Sequence, residues 1–280
     1  MTDRMSTAEA IERLRADPAQ ADLIRDAYLE QDTHGAAERF ERSGEFEQVK
    51  RILRGRIQGA EVLDLGAGTG IASYALARAG AGRVHALEPD PSPVLGRGAI
   101  ERLEIPGIQI LDAMGESIPL LEESVDLVYT RQVLHHVRDL VPFIGEVRRV
   151  LRPGGLYLAC REHVAESEAE LEVFLANHQV HRLAGGEGAY PSGEYREALV
   201  QGGLRVRRVW GPLDSAINAF PLVSSQEELV EFRRRVVGPR LGRLRPSMVE
   251  RLPIVGAGVA SRIAPYIPPG SMWSFLAARD

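Results

Sequence analysis

The chain has 280 residues, a formal net charge of -5 and charged side chains at 26% of its positions. A chain of this length buries a sizeable core, and its acidic balance leaves no broad basic footprint, which argues against nucleic acid as the main partner. The one cysteine, Cys160, excludes an internal disulfide and fits a reducing compartment. The amino end, Met-Thr-Asp-Arg, has no apolar secretory core, and no run reaches the ~20 apolar residues of a membrane span. A cytoplasmic protein with no integral membrane segment is expected.

In chain order, residues 6 to 55 read as helices. Thr7 to Ala16 precedes Pro18, and Ala21 to Glu30 ends at the polar break Gln31-Asp-Thr-His-Gly35. Ala36 to Leu53 carries Phe40, Phe46, Val49, Ile52 and Leu53 at roughly helical spacing. Tyr28 and Phe40 are candidates to line a lid, against the commoner alternative of simple core aromatics. Val62-Leu-Asp-Leu-Gly-Ala-Gly-Thr-Gly70 then runs a buried-strand pattern into three alternate glycines. The spacing predicts a strand over Glu61–Leu65, a tight turn, and a helix from Ile71 to Ala79, an arrangement in which backbone can approach a nucleotide closely. A Cβ in that turn would clash with the ligand or forbid positive φ. Ile71 stands where the dinucleotide fingerprint needs Gly or Ala. Asp64 places a carboxylate at the mouth of the turn, which suits a cationic ligand and not a pyrophosphate. Val84–Glu88 reads as a second strand ending in the carboxylate from which a ribose diol is held.

Pro91 and Pro93 lead into a helix reaching about Leu103. Strands follow at Ile108–Asp112 and Ser124–Thr130, then a helix over Pro142–Leu151 stopped by Arg152-Pro-Gly-Gly155. A fifth strand spans Leu156–Cys160 and makes Cys160 a buried structural thiol. The alternation of strand and helix predicts a parallel sheet covered on both faces, and the right-handed crossover rule makes it doubly wound.

The Asp64-x-Gly66-x-Gly68-x-Gly70 turn followed by Glu88 resembles motif I and the next acidic strand end of the class I S-adenosylmethionine (SAM) dependent methyltransferases, in their small-molecule, type 11-like branch. Leu111-Asp112-Ala113, Val125-Asp-Leu-Val, Gln132-Val-Leu-His-His136 and Leu151-Arg-Pro-Gly-Gly155 resemble later motifs of the same enzymes, in the expected order. The likeness covers about residues 60 to 162. Beyond it, the segment from Gly202 to Trp210 looks like the sixth strand with the helix end before it, and Met272–Ala277 looks like the antiparallel seventh.

The resemblance implies an α/β fold with a doubly wound, seven-stranded, mostly parallel sheet of the Rossmann-like methyltransferase type. A helical lid precedes the sheet and an insertion separates its last two strands. The expected organisation is a helical cap over 1–55, a SAM-binding core over 56–165 and a covering segment over 166–195. The C-terminal part of the core then spans 196–280, with an inserted helical segment at 211–270. Asp64, Gly66, Ala67, Gly68 and Gly70 are expected at the methionine part of SAM, Glu88 and Pro89 at the ribose, and Asp112 at the adenine amino group. Ala113 and Met114 flank the ring, and Gln132 approaches the cleft.

In an open α/β sheet the acceptor meets the cofactor beyond the carboxyl ends of the strands. An amine acceptor needs only positioning as the neutral form, whereas a hydroxyl or an acidic carbon needs a base. Three groups can supply one. His135 and His136 follow the fourth strand, with at most one expected to face the cleft. Arg161-Glu162-His163 ends the fifth strand. His178 and His181, with Glu187 and Tyr190, occupy the covering segment. The candidate catalytic residues are His163, Glu162, His136 and His181, and the candidate acceptor contacts are Tyr28, His135, Arg161, Glu187 and Tyr190. His178, His181 and Glu187 have a metal-like spacing, but solvated helix histidines are far commoner and no metal is expected.

The function expected is methylation of a small-molecule acceptor, oxygen favoured, in secondary or cell-surface glycan metabolism. Protein or RNA methylation and a non-catalytic SAM-binding partner subunit are the alternatives. A helix capped by Ser225 is expected to run to Val236. Arg233, Arg234 and Arg235, with Arg240, Arg243 and Arg245, read as a solvated helix face plus loop. The apolar run Ile254–Pro269 is a candidate homodimer interface, lid or contact for a lipid-like acceptor.

Overall fold

The structure, a computed structural model, describes residues 4–236 and 267–280. Four helices come first: α1 (Thr7–Arg15), α2 (Ala21–Asp26), α3 (Thr33–Glu41) and α4 (Gly44–Leu53). Ser6 and Glu9 cap α1 reciprocally, each side chain taking the other's backbone amide. The single helix expected over Ala36–Leu53 is two. Ser43 breaks it, since its hydroxyl donates to the Phe40 carbonyl and accepts from the Phe46 amide, closing α3 and opening α4.

The sheet follows as β1 (Glu61–Leu65), β2 (Arg83–Leu87), β3 (Ile108–Leu111), β4 (Val125–Arg131), β5 (Leu151–His163), β6 (Arg205–Trp210) and β7 (Met272–Ala278). Its order is β3-β2-β1-β4-β5-β7-β6, with β7 antiparallel to both neighbours. The seven-stranded, doubly wound arrangement expected from the sequence is therefore present. Between strands lie α5 (Ile71–Arg78), α6 (Arg97–Glu101), α7 (Leu140–Val150), α8 (Glu168–Asn177), α9 (Gln179–Ala184), α10 (Ser192–Gln201), α11 (Ala216–Ala219) and α12 (Gln226–Val236). The helix expected up to Leu103 is shorter, because Gly96 and Gly98 follow two prolines and hold little helix propensity.

Side chains alternate across the strands and feed two cores. Leu63, Leu65, Val128, Tyr157 and Ala159 pack beneath α7 and α10. Val62, Leu127, Tyr129, Leu158 and Cys160 meet α3, α4 and α5 on the opposite face. Helix α7 buries Leu140, Phe143, Ile144, Val147 and Val150, one stripe at helical spacing; each such side chain stabilises the fold by about 1.5–3 kcal/mol relative to exposure. Cys160 is wholly buried and its thiol pKa is pushed up by burial, as a structural residue requires.

β5 exceeds its expected span at both ends. Its extension through Arg161, Glu162 and His163 arises because Glu162 and His163 pair with Trp273 and Met272 of β7. A bulge between Ala159 and Glu162 puts Arg161 at a φ of 60° and re-aims the residues after it. Helix α12 is capped by Ser225, whose hydroxyl accepts from the Glu228 amide. Arg234 and Arg235 of that helix are exposed, whereas Arg233 is buried, so the face is only partly solvated. Arg240, Arg243, Arg245 and nearly all of the Ile254–Pro269 run lie outside the described residues. Among the described residues, no helix is long and apolar enough to cross a membrane.

Candidate active site

The carboxyl ends of β1, β4 and β5 open into a cavity of about 570 Å³, within the usual range for small-molecule sites. On one wall is the glycine turn. Gly66 and Gly68 have φ of 75° and 55°, angles that an L side chain adopts only with strain. The Cβ direction of Gly68 is nearly open, with the Leu95 carbonyl at 3.8 Å, so this stretch of backbone is bare to a ligand. Asp64, Gly66, Ala67 and Gly68 all line the cavity. The Asp64 carboxylate is buried and accepts the Ser73 hydroxyl at 2.6 Å. Burial pushes its pKa up to about 7, against that hydrogen bond and with the nearby charge of Glu88. Gly70 is not on the cavity wall. A Cβ there would meet Ile100 and Leu103, so this glycine shapes the turn and opens α5.

The opposite wall is a histidine cluster. His135, His136, His163 and His178 line the cavity together with Glu187. The expectation that only one of His135 and His136 faces the cleft is overturned. The 3-10 turn over Leu134–His136 sets their rings 4.2 Å apart, centre to centre, and both reach the cavity. Nδ1 of His135 bonds Glu162 at 2.8 Å, and its Nε2 lies 3.5 Å from Glu187. Burial disfavours its cation, but the two carboxylates outweigh burial and hold its pKa up at about 9. The reciprocal effect brings Glu187 down to about 2: burial opposes it, and the His135 hydrogen bond together with the neighbouring histidines overcomes that. His163 and His136 shift the other way, lowered by burial and by the charge on His135.

The chain matches a family described as a methyltransferase domain over residues 63–159, the segment that runs from the glycine turn into the histidine-bearing strand. Over that segment the chain is similar to SAM-dependent methyltransferase domains. The chain is similar to a ubiquinone biosynthesis O-methyltransferase of Methylobacterium sp. (strain 4-46), 34% identical over 104 residues, which are 37% of this chain and 41% of that one. It is also similar to a dimethylglycine N-methyltransferase of Parasynechococcus marenigrum (strain WH8102), 35% identical over 106 residues, 36% of this chain and 37% of the relative. The chain thus spans only about two fifths of the length of the curated relatives it matches. A crystal structure of a SAM-dependent methyltransferase from Mesorhizobium loti shares the fold, with a TM-score of 0.55 at 18% identity over 86% of this chain and all of that one.

The methyltransferase domain places the other expected residues less uniformly. Glu88, at the end of β2, accepts from the amides of Gly68 and Asp90 at 2.8 and 2.9 Å, and so holds the glycine turn closed from behind. Arg97 donates to the Pro89 carbonyl and pairs with Asp112 at 2.8 Å. Asp112 and Met114 are exposed, and Ala113 packs partly on the core. None of Glu88, Pro89, Asp112, Ala113 or Met114 lines the cavity itself. Gln132 does, at a φ of 59° with its Oε1 accepting from Arg131.

Further placements differ from the expectations. Tyr28 is a core residue, 2% exposed, with its ring stacked on Phe220 and edge-on to Phe40, so it faces no acceptor, and neither does the fully buried Phe40. Glu162 is wholly buried and points away from the cavity, because the amides of Val133 and His135 and the His135 ring all use its oxygens. Tyr190 turns its hydroxyl to the Val137 carbonyl and borders a separate surface cleft. His181 lies off the cavity wall, with its amide donated to Nδ1 of His178. Arg161 and His163 meet expectation in placement: both line the cavity, Arg161 donating to the Ile217 and Phe220 carbonyls and His163 bonding Gly270 through Nδ1 at 2.6 Å.

Sequence reasoning missed Arg131, at the end of β4, which lines the cavity and is held at 2.7 Å by the fully buried Glu45 of α4. It also missed the share of α1 and α2, whose Thr7, Ile11 and Leu23 form part of the wall. A lone charge at a buried strand end was the available signal for Arg131. Nothing local linked it to Glu45, which is 86 positions away.

Proposed function

We propose that this chain transfers a methyl group from SAM to a small-molecule acceptor, with an oxygen acceptor favoured. The observation that carries the proposal is one cavity with bare glycine backbone and a buried carboxylate on one wall and a cluster of imidazoles on the other. The cavity fits the cofactor on its own terms. Gly68 leaves room that a Cβ would fill, and Asp64 offers a negative charge where an ammonium and a sulfonium are wanted. Bound SAM would supply an electrophilic methyl carbon whose transfer to an acceptor oxygen releases a neutral thioether.

The chain's own residues do the rest by position and proton handling. Asp64 would receive the amine end and the Gly66–Gly68 backbone the methionine part, while Gln132 borders the cavity from the end of β4. Glu88 would hold the ribose and Asp112 the adenine amino group, with Ala113 and Met114 beside the ring, from positions outside the cavity wall itself. His163 is the group that takes the acceptor's proton. It is uncharged at neutral pH, and the Gly270 carbonyl fixes its Nδ1–H, which leaves Nε2 basic. His135 stays protonated between Glu162 and Glu187 and presents positive charge beside it. The relatives' names include both O- and N-methyltransferases, so the acceptor atom rests on this proton-accepting wall.

Calorimetric titration tests the donor side. SAM should bind the wild type and lose affinity at least tenfold in Asp64→Ala; tight binding of NAD with none of SAM would defeat the proposal. Once a competent acceptor is known, His163→Ala should keep SAM affinity while turnover falls about 10²–10⁴-fold. Unchanged turnover removes His163 from the chemistry. A protein or RNA substrate, or a purely SAM-binding partner subunit, predicts the same titration but no labelled small molecule after tritium transfer in a cell extract.

A further inference from the structure

Five of the seven histidines fall between positions 135 and 181, and four of them line the cavity. Within that group His135, His163 and Glu187 bring one ligand atom each to within 4.8 Å of one another. Two imidazoles and one carboxylate form the donor set that divalent first-row transition ions favour, with coordination positions left open on one side. Hard ions such as Ca²⁺ and Mg²⁺ favour all-oxygen sets instead.

The surroundings of the three histidine rings strengthen this assignment. Nδ1 of His135 is tied to Glu162 at 2.8 Å, Nδ1 of His163 to the Gly270 carbonyl at 2.6 Å, and Nδ1 of His136 to the Gly186 carbonyl at 3.0 Å. A carbonyl can only accept, so His163 and His136 carry their proton on Nδ1 and keep Nε2 to ligate, whereas His135, oriented by Glu162, must give up its Nε2 proton when an ion binds. A ligating histidine is supported by a carboxylate or carbonyl behind it in this way. Glu162 is the clearest example, since it is wholly buried, lies off the cavity, and also receives the amides of Val133 and His135. Nε2 of His136 lies 3.8 Å from Glu187 and flanks the group.

We infer that His135, His163 and Glu187 form a binding site for a divalent first-row transition cation, with Glu162 positioning His135 and His136 beside the ion. The site faces the same cavity as the glycine turn, so a bound ion places its open positions where an acceptor oxygen arrives. There it polarises that oxygen and takes over from His163 the task of acidifying it, while the released proton goes to solvent. This use of the ion rests on the proposed methyl transfer; binding of the ion does not. Nε2 of His135 already stands 3.5 Å from Glu187, and a bound ion has only to draw a group lying within 4.8 Å slightly closer.

Untagged protein is titrated with Co²⁺ and followed by its visible absorption, and Zn²⁺ is then added as a competitor. The wild type should take up one equivalent, displaced by Zn²⁺. His163→Ala and Glu187→Gln should each weaken binding at least tenfold, and Glu162→Gln about 10–100-fold. His34→Ala, exposed on α3, should bind as the wild type does. Circular dichroism establishes which variants fold. Glu187→Gln, an isosteric change outside the sheet, decides the matter if the buried variants do not. Absence of Co²⁺ uptake by the wild type, or equal uptake by wild type and Glu187→Gln, overturns the inference. Calorimetric titration of SAM without added metal is run in parallel. SAM binding without Co²⁺ uptake sinks the metal site and leaves the proposed function standing; Co²⁺ uptake without SAM binding does the reverse.

Discussion

The two walls of the cavity are built in opposite ways. The glycine wall comes from one continuous stretch, Asp64 to Gly68, closed from behind by Glu88 twenty residues on. The histidine wall is gathered from the turn after β4, the bulged end of β5, the junction of α8 and α9, and the segment past α9, so its members are up to 52 positions apart in the chain. A local wall depends on backbone conformation, which a few glycines can encode. A gathered wall depends on buried polar partners that hold distant elements in register. Damage to the two should therefore differ in kind, and the expected effects run from the gathered wall to the local one.

The largest effect is expected at Glu162. Its carboxylate joins the β5 end to the turn after β4 through two amides and a ring nitrogen. Glu162→Ala leaves a buried charged histidine and two amides without their acceptor, a loss of roughly 3–5 kcal/mol. The shift in the urea midpoint, with the slope unchanged, measures it. A change below about 1 kcal/mol would mean that the histidine wall holds together without its central acceptor, and the contrast between the walls would collapse.

Gly66→Ala probes the local wall. The residue sits at a φ of 75°, and an added Cβ would come within 2.7 Å of a Val133 methyl. The left-handed backbone costs about 1–2 kcal/mol for an alanine, and the valine rotamer can yield part of the remaining strain. Stability should drop by that amount while SAM affinity falls more steeply, because the displaced backbone lies on the cavity. Equal losses in stability and affinity would make the glycine a purely structural device.

The same difference in construction decided what could be read from the sequence. The glycine turn was legible because it depends on a short run of residue types, and the sheet topology with its antiparallel β7 followed from the family resemblance carried by that turn and the motifs after it. Arg161 and His163 were legible as strand-end residues. The role of Glu162 was not: alternation places it opposite His163, and only the bulge with the β7 pairing shows that it is buried under His135. Tyr28 was misplaced because a helical aromatic pattern does not distinguish a lid from a core. The convergence of Glu187 on His135 depends on the path of α8 and α9 across the sheet, and no local pattern records that path.

The smallest effect is a pH dependence of the glycine wall, set by Asp64. In the free protein its pKa is raised to about 7, by burial first and by Glu88, with the Ser73 hydroxyl and the Arg131 charge opposing. Since the folded value exceeds that of an unfolded aspartate, the stabilisation linked to this group is full below about pH 4 and is lost as pH rises through about 7. A cationic ligand prefers the ionised carboxylate, so SAM affinity should move the other way. It should weaken toward a limiting tenfold per pH unit below about 7 and level off above it. Asp64→Asn should flatten both curves, lowering affinity on the alkaline side and leaving the remaining stability profile to the other groups. Calorimetry from pH 5.5 to 8.5, paired with denaturation over the same range, separates the two signs. Parallel curves would mean that Asp64 serves the fold alone and that the cationic end of the ligand lies elsewhere in the cavity.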